Sequence, residues 1–576
     1  MLKLARFLKP YALLVLLSVV FLFVQAFSEL YLPALMADIV DSGIRNGNRA
    51  VILATGGRML VVAFGGVLAA GIVGFCSSRV AAGVTRDIRR AVFASVEDFS
   101  SAEFDRFSTA SLITRTTNDV TQLQHLVLMG MRMLFFAPVM GIGSIVMAVR
   151  TGASMSWILV IAVFAVIVLI AGVFRIAMPK FRIVQKLVDR LNLVSREHLS
   201  GLMVIRAFRT EQFETERFAK ANNDLTAVNL FVNRVMTIMM PTMTLVMNGV
   251  GLLIIWIGAQ HIAASAMQVG DMMAYLQYAM HAIMSFLMLS VMFIMIPRSA
   301  VSADRIAEVI DTSSSIRDPA APREMRKDLS GVVEFRSVSF RYPGADEDVL
   351  SDISFTARPG TTTALIGPTG CGKSTLVHLV PRFYDVTSGS ILVSGVDVRE
   401  LAQKELRQAI GFVPQKAVLR TGTVADNIRA GKPDASDRET ADAARIAQAA
   451  GFIEKMEEGY ASPVSEGGAN FSGGQKQRLS IARAVVKKPS VYIFDDSFSA
   501  LDAATDAKLR TALDPVTEHA TVIVVSQRIH TIMHADSILV LDNGRIVGSG
   551  THDELLETCG LYREIASSQL AMEVSE

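Results

Sequence analysis

The amino-acid sequence predicts two domains of different kinds, an all-α domain of six membrane-spanning helices followed by an α/β domain. Three observations point to this fold class: six long apolar runs in the first half, a change to mixed composition after residue 311, and a glycine-rich strand–loop–helix pattern near residue 367. A chain of 576 residues is also too long for one hydrophobic core, because domains split beyond about 250 to 300 residues.

The six apolar runs are long enough to cross a bilayer and contain no Asp, Glu, Lys or Arg. A spanning helix needs about 20 mostly apolar residues for a hydrocarbon core of about 30 Å. A buried soluble core is a poor alternative, because soluble helices of this length carry charge on an exposed face. A secretory signal is also rejected, since the first run is too long and further spans follow. The runs are Pro10–Ser28, Met59–Ser78, Met133–Val149, Thr151–Phe174, Val235–Gly270 and Met272–Pro297.

Lys and Arg gather after the second, fourth and sixth runs, within residues 79–90, 175–190 and 298–305. The loops between the third and fourth runs and between the fifth and sixth runs contain few or none. Cytoplasmic loops carry the excess of positive charge, so both termini are predicted to be cytoplasmic.

Two cytoplasmic connections, residues 79–132 and 175–234, mix charge with apolar residues at helical spacing. We expect helices that continue out of the membrane. Each connection contains a candidate turn, Phe104–Thr109 in the first and Phe208–Phe213 in the second. Aromatic residues exposed at a turn are suited to docking on a partner domain, and packing within a hairpin is the alternative.

The segment Asp311–Gly331 is rich in Ser, Pro, Arg and Asp and lacks periodicity, which indicates a linker. The predicted domains are therefore a transmembrane domain at 1–310, a linker at 311–331 and an α/β domain at 332–576, whose function is assigned below. The last assignment depends on the motifs that follow.

A phosphate-binding loop follows a predicted strand. Val332–Phe340 is predicted as the first strand of this domain, and Ala364–Ile366 leads into Gly367–Ser374, which matches G-x-x-x-x-G-K-S. A helix over Thr375–Val380 completes the context that the motif requires. The glycines let backbone N–H groups surround phosphate, the lysine supplies a point charge, and the serine hydroxyl is a Mg²⁺ ligand.

A later predicted strand, Val491–Asp495, ends in a carboxylate that can hold Mg²⁺ opposite the phosphate-binding loop. Between the two motifs lies Phe471–Gln475, with the sequence Phe-Ser-Gly-Gly-Gln. With these motifs in this order, the chain resembles the ATP-binding cassette (ABC) transporters, specifically exporter half-transporters with six membrane helices ahead of one nucleotide-binding domain. The resemblance extends over essentially the whole chain.

The resemblance implies long intracellular helical extensions, an α/β P-loop ATPase domain with an antiparallel β subdomain, and ATP with Mg²⁺ as cofactors. It also implies that two nucleotide-binding domains close head to tail, so that each ATP lies between the P-loop of one chain and the signature motif of the other. Phe471–Gln475 is similar to that signature, with Phe for the usual Leu. The two turns match the coupling helices of the family in position.

Further residues take roles through the resemblance. Tyr342 is similar to the aromatic residue that stacks on adenine, Gln415 to a ligand of Mg²⁺ and water, and Glu466 to the glutamate that contacts the coupling helices. Ser499–Asp502 resembles the loop that joins the two nucleotide domains. The expected nucleotide contacts are Tyr342, Gly367, Thr369, Gly370, Cys371, Gly372, Lys373, Ser374, Thr375, Gln415, Ser472, Gly473, Gly474 and Gln475. The expected metal ligands are Ser374, Gln415 and Asp495, and the candidate catalytic residues are Asp496, Gln527 and Gln415.

Two catalytic positions depart from the family pattern. Asp496 stands where a glutamate usually orients the attacking water, and Gln527 stands where a histidine usually contacts the γ-phosphate. A misplacement of about 1 Å can cost about 10²-fold in rate. A glutamine side chain can form hydrogen bonds, but it cannot take up a proton or carry a positive charge. His530 is three residues further on and is not expected to replace the histidine. The chain therefore resembles the degenerate subunit of heterodimeric bacterial multidrug exporters, and a homodimer with two slow sites is the alternative.

The substrate is poorly specified by the sequence. The last two spans are rich in methionine, which suits adaptable binding surfaces but also ordinary packing or lipid contact. Polar residues within spans are better candidates, because they are costly unless they face a cavity or a partner; these are Gln25, Glu29, Asn248, Gln277 and His281. Amphiphilic, drug-like or lipid-like export follows from the resemblance alone; an importer built on the exporter fold and an ATP-gated regulator remain alternatives.

The expected partners are a second, non-identical half-transporter, the lipid bilayer and a hydrophobic or amphiphilic small molecule. A net charge of +2 gives no reason to expect nucleic acid. Cys76, Cys371 and Cys559 lie far apart, which fits a reducing cytoplasm. The expected location is the plasma (inner) membrane of a bacterium.

Overall fold

The computed structural model describes residues 2–573, in two compact units. One unit comprises the chain up to Glu97 together with Thr109–Thr312. The other comprises Asp98–Ser108 and the chain from Ser313 onward.

The first unit contains six helical stretches that are long and apolar enough to cross a membrane, which confirms the predicted number of spans. They are Lys3–Ile44, Arg49–Glu97, Thr109–Thr151, Ala153–Ser200, Glu211–Ala263 and Val269–Asp311. Each has 42 to 53 residues, and at 1.5 Å per residue this is about 60 to 80 Å, more than twice the hydrocarbon thickness. The extra length confirms helical extensions beyond the membrane.

The helices of these stretches are interrupted by short 3₁₀ or π segments at Leu2–Tyr11, Ile39–Ile44, Arg115–Asp119 and Ala153–Met155. The α-helices up to Asp311 are α1 (Ala12–Asp38), α2 (Arg49–Glu97), α3 (Ser101–Phe107), α4 (Thr109–Thr114), α5 (Val120–Thr151), α6 (Ser156–Ser200), α7 (Leu202–Phe208), α8 (Glu211–Ala263) and α9 (Val269–Asp311). Of these, α3 belongs to the second unit.

The fifth predicted run extends furthest beyond its helix, whereas the fourth run begins at Thr151, five residues before α6, and the helix predicted over Thr375–Val380 is Lys373–Leu379. The fifth apolar run continues to Gly270, but α8 ends at Ala263. Ser265 has a φ of 56°, a left-handed conformation that ends a helix and that an apolar pattern does not reveal.

Helix packing in the first unit pairs α1 with α2, α5 with α9 and α6 with α8. Two buried tyrosines of α9 connect it to other helices: the Tyr275 hydroxyl donates to the Met155 carbonyl at 2.8 Å, and the Tyr278 hydroxyl donates to the Leu30 carbonyl at 3.1 Å. A buried hydroxyl needs such a partner, so these bonds fix the position of α9. Many outward apolar side chains are exposed, such as Phe64 at 72%, as expected for surfaces that contact lipid.

Both predicted turns are present. In the first, α3 is followed by Ser108, which has a φ of 48°. In the second, α7 ends at Phe208 and Arg209 adopts a left-handed conformation with a φ of 52°. Phe208 and Phe213 are 75% and 65% exposed.

The second unit contains twelve strands and the remaining helices of the described chain. The strands are β1 (Val333–Phe340), β2 (Leu350–Ala357), β3 (Thr362–Ile366), β4 (Ser388–Val393), β5 (Val396–Asp397), β6 (Ile410–Val413), β7 (Gly422–Thr423), β8 (Pro463–Val464), β9 (Val491–Asp495), β10 (Thr521–Val525), β11 (Ser537–Asp542) and β12 (Arg545–Gly550). The helices are α10 (Lys373–Leu379), α11 (Gln403–Gln408), α12 (Val424–Arg429), α13 (Asp437–Ile446), α14 (Ala450–Ile453), α15 (Gly473–Val485), α16 (Ala503–Thr517), α17 (Ile529–Ile532), α18 (His552–Thr558) and α19 (Gly560–Glu573).

Two larger sheets organise this unit. Four strands form an antiparallel sheet in the order β2-β1-β4-β5, and six form a second sheet in the order β12-β11-β3-β10-β9-β6. In the second sheet all neighbours are parallel except β11 and β12, and β7 pairs with β8 separately. The predicted α/β domain with an antiparallel β subdomain is confirmed.

The central strands are buried on both faces, which explains their continuous apolar sequences. Successive side chains of a strand point to opposite faces. Tyr492 and Phe494 of β9 therefore lie in one core, while Val491 and Ile493 lie in a second core shared with the antiparallel sheet.

Candidate functional site

The order of the six-stranded sheet brings four loops to one edge. Strands β3, β10, β9 and β6 are consecutive and parallel, so their carboxyl ends lie side by side. Gly367–Ser374 follows β3, Gln527 follows β10, Asp495 and Asp496 lie at the end of β9, and Gln415 follows β6. Ligands of open α/β sheets bind at this edge.

The P-loop has a backbone that only glycine adopts readily. Gly367, Gly370 and Gly372 have φ values of 154°, 86° and 99°. A Cβ atom on Gly367 would lie 2.0 Å from the Leu541 carbonyl oxygen, so no larger residue fits there without movement of the backbone. Such a loop turns successive N–H groups toward one concavity, which suits a phosphate.

Lys373 and Ser374 begin α10 inside this loop. The Lys373 ammonium group donates to the Gly367 and Pro368 carbonyl oxygens, each at 2.8 Å. The Ser374 hydroxyl donates to Asp495 Oδ1 at 2.8 Å. Burial raises the pKa of Asp495, and the Ser374 hydrogen bond opposes that shift.

The residues at this point fit Mg²⁺. The ion prefers oxygen ligands and is bound through one or two protein groups plus nucleotide phosphates. Ser374 Oγ and Asp495 Oδ1 converge at hydrogen-bond distance beside the phosphate-binding loop, and the Asp495 side chain is buried. Over residues 2–573, no group of three or more His, Cys, Asp or Glu side chains is placed to hold a metal ion.

Asp496 and Gln415 form the next contact along the same edge. Gln415 Nε2 donates to Asp496 Oδ2 at 3.3 Å. Asp496 has a φ of 46°, an uncommon conformation for aspartate, and its N–H donates to the Val525 carbonyl. Burial raises the pKa of Asp496, and the Gln415 hydrogen bond lowers it. The carboxylate is therefore held toward β6 by its backbone conformation and by Gln415.

Gln527 is exposed where β10 ends, and its carbonyl oxygen accepts a hydrogen bond from Gln569 Nε2. His530 instead lies in α17 with its Nε2 at 3.6 Å from Asp506 Oδ2.

Tyr342 lies beside the P-loop helix. Its hydroxyl and the Thr375 hydroxyl are 3.0 Å apart and share a hydrogen bond. Its ring is perpendicular to the rings of Phe340 and Tyr384, with centroid distances of 4.9 Å and 5.3 Å. These contacts fix the orientation of the ring beside the P-loop helix.

The signature motif begins α15. Ser472 Oγ accepts from the Gln475 N–H at 3.3 Å, and Gln475 Oε1 accepts from the Ser472 N–H at 2.9 Å, a reciprocal capping box. A Cβ on Gly474 would lie 3.0 Å from the Ala500 carbonyl, so the glycine allows Ser499–Asp502 to approach the helix. The Gly473 Cβ position is open, which leaves this end of the helix free for a ligand.

Two side chains near these motifs, His378 and Tyr384, are not among the residues predicted from the sequence. His378 Nε2 lies 3.6 Å from Asp495 Oδ2, and burial lowers the pKa of this imidazole although Asp495 raises it. Its spacing of four residues from Ser374 places it on the same helix face, a signal that was available. The Tyr384 hydroxyl donates to Asp105 Oδ2 at 2.7 Å, and no local pattern connects residues 279 positions apart.

A phosphate-binding loop, an acidic strand end and a capped glycine-rich helix on an α/β sheet, together with six spanning helices, define a membrane-bound P-loop ATPase. Two family models match the chain: the ABC transporter transmembrane region over residues 15–306 and the ABC transporter model over residues 350–499. The chain belongs to the ABC transporters, as an exporter-type half-transporter. It is a multi-pass membrane protein that binds ATP and couples ATP hydrolysis to transport.

Individual relatives agree with this assignment. An uncharacterized ABC transporter ATP-binding protein of Mycobacterium tuberculosis is 44% identical over 98% of this chain and 97% of its own length. An ATP-dependent lipid A-core flippase of Aromatoleum aromaticum is 34% identical over 86% of this chain and 82% of its own length. A solved structure of a bacterial Atm1-family ABC exporter with ATP bound has a TM-score of 0.77, 26% identity, and coverage of 98% of this chain and 99% of that chain.

Proposed function

We propose that this chain is one subunit of a heterodimeric exporter and that its own P-loop joins a slow, ATP-retaining site. Its signature motif serves a second site, where the partner chain supplies the P-loop, the glutamate and the histidine. Hydrolysis at that second site drives the spanning helices between inward-facing and outward-facing states.

The observation that carries this proposal is the pair of altered residues at one sheet edge. Asp496 is one methylene, about 1.5 Å, shorter than the glutamate of the family pattern, and Gln415 holds it at 3.3 Å. Gln527 follows the adjacent strand β10 and is neutral at every pH. Both residues would act on the attacking water or the γ-phosphate.

The groups that bind ATP are intact. The position of Lys373 inside the P-loop, the closeness of the Ser374 and Asp495 oxygens, and the contact of Tyr342 with Thr375 support their proposed roles toward phosphate, Mg²⁺ and adenine. The capped signature helix retains Ser472 for a nucleotide held by the partner. When bound, Mg²⁺ would neutralise charge on the β- and γ-phosphates. A site with complete binding groups and altered hydrolytic groups is expected to retain ATP.

The first cytoplasmic turn is proposed to transmit the conformational change. Residues 98–108 belong to the same compact unit as the nucleotide-binding domain, where Glu103 accepts from the Ser315 N–H at 3.2 Å and Asp105 accepts from Tyr384. The second turn exposes Phe208 and Phe213, which we propose to dock on the partner chain.

The transported molecule is proposed to be amphiphilic, either drug-like or lipid-like. The similarity to a lipid A-core flippase supports the lipid-like option. The bacterial relatives and the positive charge after even-numbered spans support a bacterial plasma membrane, with both termini in the cytoplasm. The proposed boundaries remain 1–310 for the transmembrane domain, 311–331 for the linker and 332–576 for the nucleotide-binding domain.

ATPase activity of the purified chain, alone and together with a similar half-transporter encoded beside it, tests the proposal. We expect low activity from this chain alone and high activity from the pair. Vesicle uptake with a panel of amphiphilic substrates then identifies the cargo. Rapid ATP turnover by this chain alone would refute the division of labour and favour a homodimer, whereas substrate movement without turnover would favour an ATP-gated channel.

A further inference from the structure

Glu29 directly follows the first apolar run and lies within the first helical stretch, Lys3–Ile44, where an uncompensated charge near the hydrocarbon core is costly. Gln25 Nε2 donates to Glu29 Oε1 at 3.0 Å, one helical turn apart in α1. Gln25 is only 5% exposed, and within the described chain its Oε1 is buried with no hydrogen-bond partner. The amide therefore supports the carboxylate with its donor side and leaves its acceptor unused.

A histidine of the sixth span faces the same region. The bond from the Tyr278 hydroxyl to the Leu30 carbonyl places this turn of α9 against α1 beside Glu29. His281 follows three residues later in α9, and its neighbour Ala282 lies in the same buried core as Ala26 and Leu30 of α1. Among the residues that the structure describes, His281 Nδ1 is also buried without a hydrogen-bond partner. Gln277, four residues before His281, is exposed.

The Glu29 carboxylate and the two atoms without a hydrogen-bond partner, Gln25 Oε1 and His281 Nδ1, share one chemistry. A carboxylate oxygen and an amide oxygen accept hydrogen bonds, and an imidazole nitrogen accepts one when its proton is on the other nitrogen. A ligand that satisfies them must carry N–H donors, and a positive charge would compensate Glu29 in the membrane. A protonated amine provides both.

We propose that Gln25, Glu29 and His281 bind the protonated amino group of an amphiphilic substrate. The proposal rests on the export function proposed above, and it narrows the substrate to cations with at least one N–H group. A quaternary ammonium has the same charge but no donor, and would bind only through weaker electrostatic attraction. A charge-assisted hydrogen bond corresponds to about a tenfold or greater difference in affinity.

Two matched probes test this prediction with the full-length chain, assembled with its partner chain, in lipid nanodiscs. Dodecyldimethylamine is protonated at neutral pH and has one N–H, whereas dodecyltrimethylammonium has a methyl group in its place. Equilibrium dialysis of radiolabelled probes, corrected with empty nanodiscs, gives the affinities. The wild type is expected to bind the amine about tenfold or more tightly than the quaternary cation, and Glu29→Gln is expected to abolish that preference.

The chain provides a matched control. Gln212 Nε2 donates to Glu216 Oε1 at 3.1 Å with the same spacing of four residues, outside the apolar runs. Glu216→Gln should leave both affinities unchanged. Gln25→Leu is a second test variant, and ATP retention with thermal unfolding shows that each variant is folded.

Equal affinity of the wild type for both probes would overturn the proposal, as would an unchanged preference in folded Glu29→Gln. Binding of a divalent cation such as Zn²⁺ in place of the amine would also overturn it. These measurements involve no ATP turnover. A failure here leaves the exporter and its slow ATP site in place, while rapid turnover by this chain alone leaves the amine site in place.

Discussion

Lengthening the carboxylate at position 496 should accelerate hydrolysis at the slow site. Asp496→Glu extends the side chain by one methylene, about 1.5 Å. In the structure the shorter carboxylate lies 3.3 Å from Gln415 Nε2. A misplacement of about 1 Å costs about 10²-fold in rate, so the substitution should raise the single-turnover rate at this site by up to about 10²-fold. Recovery should be incomplete because Gln527 is unchanged, and Gln527→His in addition should raise the rate further.

The assay follows ATP retained by the assembled heterodimer. Radiolabelled ATP with Mg²⁺ is loaded, free nucleotide is removed, and conversion to ADP is measured over time. The wild type should give two phases, a fast one from the partner's P-loop and a slow one from this chain. Asp496→Glu should accelerate only the slow phase, while Asp496→Asn, which keeps the size and removes the charge, should not accelerate it.

One combination of results would refute this reasoning. If Asp496→Glu leaves the slow phase unchanged while Asp496→Asn slows it by about 10²-fold or more, aspartate already acts as an effective base. The length of the side chain would then not be the defect.

Three further predictions concern binding, metal dependence and coupling. Lys373→Ala should weaken ATP retention at this site by about 10- to 100-fold, because a charged hydrogen-bond donor is lost. Photocrosslinking of azido-ATP measures this retention. Steady-state turnover by the partner's site should persist, and its complete loss would contradict the division of labour. Chelation of Mg²⁺ with EDTA should abolish hydrolysis while ATP remains bound through the P-loop, and hydrolysis in EDTA would argue against the metal roles of Ser374 and Asp495. Tyr384→Phe removes the hydrogen-bond donor to Asp105 and should speed hydrogen–deuterium exchange of residues 98–108 by about tenfold. Tyr342→Phe is the control. Unchanged exchange would mean that the contact between Glu103 and Ser315 suffices to hold the turn.

Features encoded by neighbouring residues could be predicted from the sequence. Uncharged runs specify spanning helices because a bilayer admits no exposed backbone or charge, and the glycine spacing of the P-loop specifies its conformation locally. The predicted strand Val491–Asp495 coincides with β9, because a short, continuous apolar run that ends in aspartate is typical of a strand buried on both faces.

Contacts that depend on the pairing of distant segments could not be predicted in this way. The position of Gln527 near the P-loop follows from the pairing of β10 between β3 and β9, and this order is not encoded in any single strand. The contacts of Tyr384 with Asp105 and of Tyr278 with Leu30 likewise join distant segments. The end of α8 depends on one left-handed serine that follows an apolar run.

Both altered residues, Asp496 and Gln527, are among the groups proposed for ATP cleavage, whereas the groups proposed for ATP binding follow the family pattern. Groups that contact bound ATP act in the ground state, whereas the residues at positions 496 and 527 are proposed to act mainly when the γ-phosphate is attacked. A general loss of nucleotide use would remove the requirement for Lys373 in the phosphate-binding loop and for the converging oxygens of Ser374 and Asp495, yet all three residues are present. Changes restricted to transition-state groups are instead what a site that holds ATP between two chains requires, because binding closes the dimer and slow cleavage keeps it closed.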